Sequence, residues 1–118
     1  MAQPPSSPAL SMRLTDAELS ASKALAGNGD CAAALKVARH YSFVVNDFAE
    51  SITWLRIAAK CPAPEPKAEL AYLLLNGKIG PGTVEEIEAL ITQIRATDPG
   101  LAEDVRKEVR AKLGKSGG

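Results

Sequence analysis

Helix-ending residues recur along this chain at intervals too short for any long regular element. Breaks fall at Gly27-Asn28-Gly29, at Cys61-Pro62-Ala63-Pro64, at Asn76-Gly77 and Gly80-Pro81-Gly82, and at Asp98-Pro99-Gly100. Proline removes an amide donor and clashes with the preceding turn, and glycine or asparagine past the last turn is a common stop. Between the breaks, apolar residues recur at steps of three and four, the spacing of one helix face. Almost no stretch alternates apolar and polar as a half-exposed strand does. The chain can therefore form several short helices and little else.

Each break also carries a start signal. Thr15 and Glu18 form a capping box, which predicts a first helix running to about Ala26. Asp30 caps a second, carrying Ala33, Leu35, Ala38 and Tyr41, and its alanines call for a closely packed neighbour. Asn46-Asp47 opens a third, with Phe48, Ile52, Leu55, Ala58 and Ala59 available for burial. A fourth covers about residues 65–75. Residues 78–82 read as a loop, and Thr83 with Glu86 reads as a second capping box ahead of Val84, Ile87, Leu90, Ile91 and Ile94. Asp98-Pro99 sets an acceptor and then a proline at the start of the last helix, which carries Leu101, Val105 and Val109 on one face. The expectation is an all-α domain of about six helices joined as antiparallel hairpins. It is expected over residues 13–113, between an uncharged leader at 1–12 and a flexible tail at 114–118. That leader lacks the basic stretch and apolar core of a signal peptide. No run of about 18 apolar residues is present to span a membrane.

Composition narrows function more than it defines it. The 118 residues hold 14 Lys+Arg against 14 Asp+Glu, so the basic excess that phosphate neutralisation needs is missing, and no nucleic-acid partner is expected. The neutrality is global only: from Val105 onward there are five Lys/Arg and one Glu. A single histidine rules out a multi-histidine metal site, and no cofactor is expected. Glu85, Glu86 and Glu88 read as charges favoured by a helix N-terminus. The glycines around Lys78 and Pro81 lack the Gly-Lys-Ser/Thr ending of a phosphate loop. Cys31 and His40 lie nine residues apart with no evident orienting partner. Together with Asp47, Glu50, Glu65 and Glu69 they are the loose material for an enzyme, a small hydrolase, or a ligand-binding domain. No catalytic set emerges, and the chain is expected not to be an enzyme.

Two segments align in kind about 35 residues apart, a spacing within the range of helical repeats. One runs from Gly29 through Ala34, Leu35 and Ala38 to Tyr41; the other runs from Pro64 through Ala68, Ala71 and Leu74 to Asn76-Gly77. Between them stand Asp47, Ala49, Trp54, Ala58 and Ala59. This arrangement resembles the Sel1-like relatives of tetratricopeptide repeats, over about residues 28–80 and for about one and a half repeats. It departs from them at Phe43-Val44-Val45, where a glycine-containing turn is usual, and at the link from Cys61 to Pro64. The resemblance implies a short right-handed superhelical domain whose product is a protein-binding surface. Small helical proteins of this kind include bacterial adaptors and periplasmic partners. They also include immunity proteins, which bind and block a secreted antibacterial toxin or effector enzyme. A general adaptor or structural role is the alternative.

The interface candidates are His40, Phe43, Asn46 and Asp47 in the turn after the second helix, with Trp54 behind them. Further candidates are Lys78 and Pro81 in the next loop, and Arg106, Lys107 and Arg110 on the basic face of the last helix. Cys31 begins the second helix and Cys61 follows the third, so an antiparallel pair puts both at one end. They form either a disulfide, which implies an oxidising compartment such as a bacterial periplasm, or two free thiols in the cytoplasm.

Overall fold

The computed structural model describes residues 12–116. Among these are six α-helices and no strand: α1 Asp16–Gly27, α2 Cys31–His40, α3 Phe48–Ala58, α4 Pro64–Asn76, α5 Pro81–Thr97 and α6 Pro99–Ser116. A five-residue π-helical turn, Tyr41–Val45, follows α2. The expected leader, apart from Met12, and the last two residues of the expected tail lie outside the described residues. The chain divides into two compact units, one ending at Ala58 and the other beginning at Ala59.

The first unit holds α1, α2, the π turn and α3. Its helices start where the caps place them. Thr15 Oγ1 accepts from the Glu18 amide, and Glu18 Oε1 accepts from the Thr15 amide at 2.9 Å. Those hydrogen bonds from Thr15 hold the Glu18 carboxyl below its usual range. The contribution of this cap is therefore present at neutral pH and lost as pH falls through the lowered value. Asp30 Oδ1 accepts from Ala33 N, and Asp47 Oδ1 from Glu50 N.

Two long-range contacts fix the helix directions. The amide of Leu14, just ahead of α1, bonds His40 at the end of α2. Cys31 Sγ, at the start of α2, lies 3.6 Å from the carbonyl oxygen of Ile57 near the end of α3. Successive helices thus run antiparallel. Their contact surface is made of alanine: Ala26, Ala33, Ala34 and Ala58 are buried together, with Leu35, Trp54 and Ile57 packed around them. Small side chains let helix axes approach closely, as the sequence of α2 implied.

The second unit holds α4, α5 and α6, each packed against the other two. Leu70, Ala71, Leu74 and Leu75 of α4, Ile87, Leu90, Ile91 and Ile94 of α5, and Ala102, Val105 and Val109 of α6 are all buried. Here the sequence reading needs correction at one start. Helix α5 begins at Pro81 rather than at Thr83, because proline has the helical φ built in and no amide to leave unpaired. Thr83 is then the third helical residue, and its hydroxyl accepts from Gly80 N at 3.0 Å. Glu88 is not a helix-terminus charge: it takes both arms of Arg106, at 2.8 and 3.3 Å, which pairs α5 with α6. At the entrance to α4, Lys67 is buried and its ammonium donates to the carbonyls of Cys61 and Ala63. Burial pushes its pKa down.

Both cysteines are disulfide-bonded, and the chain holds no others, so the bond joins Cys31 to Cys61. It closes a loop of roughly 30 residues, which on the chain-entropy account stabilises the fold by about 3–4 kcal/mol. Urea unfolding with and without reductant is expected to show that loss. Equal midpoints in the two conditions would contradict it.

Candidate protein-interaction surface

The segment from Tyr41 to Phe48 joins α2 to α3 through the π-helical turn and two residues outside any helix. The carbonyl of Tyr41 accepts from the Asn46 amide, closing a π turn, and also from the Asp47 amide at 2.8 Å. That double closure requires a left-handed residue at its corner. Asn46 supplies it, with φ 62° and ψ 34°, a conformation that asparagine tolerates better than most residues. Asp47 immediately caps α3, whose Ser51 amide bonds the Asp47 carbonyl oxygen at 3.0 Å. One helix therefore ends and the next begins within two residues.

Behind the turn is a hydrogen-bonded anchor. Ser51 is fully buried and donates its hydroxyl to the carbonyl of Ala38 at 2.8 Å. Its only proton is then spent, so the Ser42 hydroxyl donates to Ser51 Oγ, 2.5 Å away. His40 is also buried, and its Nδ1 accepts the Leu14 amide at 3.1 Å. Its ring meets Tyr41 edge-on at 5.7 Å. The Lys23 ammonium lies 5.1 Å from the centre of the Tyr41 ring and 5.9 Å from that of Trp54, within cation–π range.

The outer side of this hydrogen-bonded turn is apolar. Phe43 is 44% exposed, Val45 49% and Phe48 52%. Phe48 was expected in the core and is not there. The buried face of α3 is Ser51, Leu55 and Ala58, at steps of four and three, and Phe48 at its first position lies clear of the alanine contact. Three large apolar groups within six residues, mounted on a turn held from behind, make a preformed apolar knuckle.

The other sequence candidates divide plainly. His40, Phe43, Asn46 and Asp47 share the knuckle, the first as its buried base. Trp54 is a packing residue: half-buried against the alanine cluster, it donates Nε1–H to Glu50 at 3.2 Å. Lys78 and Pro81 are exposed in the second unit. Arg106 is committed to Glu88, which raises its pKa, while Lys107 and Arg110 are exposed on α6. The sulfur of Cys31 is in a disulfide, so it presents no thiol to His40. Among the described residues, no group of His, Cys, Asp or Glu is placed to hold a metal ion. The sequence reading missed Val45 and the outward turn of Phe48. The signal available was Asn46, a residue suited to left-handed backbone directly between an apolar run and a helix cap.

Compared with family models, with curated proteins and with solved structures, the chain matches none.

Replacing Ser51 by alanine removes an acceptor from Ser42 and a donor from Ala38 in a buried place. A loss of about 1–2 kcal/mol in urea unfolding is expected. An unchanged midpoint would show that the anchor contributes nothing.

Proposed function

We propose that this protein is a binding module for another protein and that the knuckle at Phe43, Val45 and Phe48 is its contact surface. The observation that carries the reading is the exposure of those three side chains on a turn whose backbone is fixed by the Tyr41 carbonyl and the Ser42–Ser51–Ala38 chain. Aromatic side chains supply the dominant contacts of many interfaces, and a surface that needs no rearrangement loses less entropy on binding. π turns are also found frequently at functional sites.

The disulfide favours an oxidising compartment, and a bacterial periplasm is the reading adopted here. Among the described residues, no helix is long and apolar enough to cross a membrane. The Sel1-like reading is supported by the α2–α3 hairpin, where Ala34, Ala58 and Trp54, residues of that pattern, meet in one cluster. From that resemblance and the disulfide, the partner is proposed to be a secreted antibacterial effector enzyme, with this chain as its immunity protein.

The test is capture and inhibition of a toxic hydrolase encoded beside this gene. Micromolar or tighter binding is expected, with loss of the hydrolase's activity. A Phe43→Ala, Phe48→Ala double variant is expected to bind roughly 30-fold more weakly. Because both side chains are exposed, its melting temperature should stay within a few degrees of the parent. Undiminished binding by that variant would remove the knuckle from the interface.

A further inference from the structure

The first unit also holds two aromatic rings that share one cation. The Lys23 ammonium, from α1, lies 5.1 Å from the centre of the Tyr41 ring and 5.9 Å from that of Trp54. Tyr41 opens the π turn and Trp54 belongs to α3, so three elements contribute. Both rings are held in place. Tyr41 stands edge-on to the buried His40 ring, with 76° between the planes. Trp54 packs on the alanine cluster and donates Nε1–H to Glu50 Oε1 at 3.2 Å. The cation is held less firmly. It ends a flexible four-carbon stem, and its distance to Trp54 is near the outer limit of about 6 Å for such an attraction. Lys23, Tyr41, Glu50 and Trp54 are each only half-buried, so the site is open to solvent.

Two electron-rich ring faces with a carboxylate at the edge of one select for positive charge and against anions. Glu50 Oε2 takes no part in the bond to Trp54, so acceptor capacity remains on that carboxylate. A lysine ammonium is a compact, strongly hydrated point charge. A guanidinium is planar and more weakly hydrated, and it stacks flat on an aromatic face while its N–H groups point outward to a carboxylate. An arginine side chain can therefore use the rings and Glu50 together. The place also suits an interface. Tyr41 stands two residues before Phe43, and Glu50 two residues after Phe48, so these residues bracket the knuckle along the chain.

We infer that Tyr41, Trp54 and Glu50 form a site for an arginine side chain of the protein partner, and that Lys23 fills this site until the arginine displaces it. The assignment rests on the protein-binding reading above and gives the partner a contact residue.

Trp54 is the one tryptophan of the chain, so its fluorescence reports the site directly. The probe is a blocked tripeptide, Gly-Arg-Gly, titrated into the full chain with its disulfide intact. A saturable change in emission is expected, with millimolar or tighter affinity. Lys23→Ala removes the competing ammonium and keeps a good helix former in α1, so it should bind the probe about fivefold more tightly. Adding Glu50→Gln keeps an acceptor for Trp54 and loses only the charge, and should weaken binding about threefold relative to Lys23→Ala alone. The inference is overturned if the emission of both parent and Lys23→Ala stays unchanged, or if Lys23→Ala binds no more tightly than the parent. It is equally overturned if Gly-Lys-Gly or tetramethylammonium binds as tightly as Gly-Arg-Gly. If the tripeptide fails to bind while Phe43→Ala, Phe48→Ala abolishes partner binding, the arginine site falls and the knuckle stands. If the tripeptide binds as expected and no protein partner engages the knuckle, the site keeps its guanidinium ligand and the protein-binding reading falls.

Discussion

The alanine contact between α1, α2 and α3 is the constraint on which the rest of the first unit depends. Ala34 and Ala58 are wholly buried, and Ala26 and Ala33 nearly so. Side chains this small bring helix axes close, and the larger Val37 and Leu55 are buried beside them. The short turn that joins α2 to α3 must then cross a narrow gap while carrying Phe43, Val44, Val45 and Phe48. Three of these end on the outside. The polar chain through Ser42, Ser51 and Ala38 ties the turn that carries them to α2 and α3.

The second unit is built differently. Its core adds leucine, isoleucine and valine to the buried Ala68, Ala71 and Ala102, and polar connections lie between its helices: Arg106 to Glu88, and Lys112 to Asn76 at 2.7 Å. The Arg106 fork takes one residue out of the basic face that the sequence set on the last helix. Lys107 and Arg110 keep their exposure, and a positive field there would raise the encounter rate with an acidic partner.

Much of this was legible from local signals. Thr15–Glu18, Asp30, Asp47 and Asp98–Pro99 each start a helix where their side chains can satisfy free amides, a decision made within four residues. The disulfide was readable as one of two outcomes, since only the fold brings Cys31 and Cys61 together. What escaped the sequence depended on more distant partners. Thr83 looked like a cap until Pro81 started the helix earlier. Glu88 looked like a helix-terminal charge until α6 placed Arg106 beside it. Phe48 looked like a core residue because its spacing fits, but it stands at the first position of α3, beyond the buried Ser51, Leu55 and Ala58.

The central claim is that the knuckle is rigid while its apolar tips are exposed. Backbone ¹⁵N relaxation across residues 41–48 tests it most directly. Order parameters of about 0.85, matching the neighbouring helices, are expected for Ser42 through Asp47. Values below about 0.6 there would describe a loose loop and would contradict a preformed binding surface.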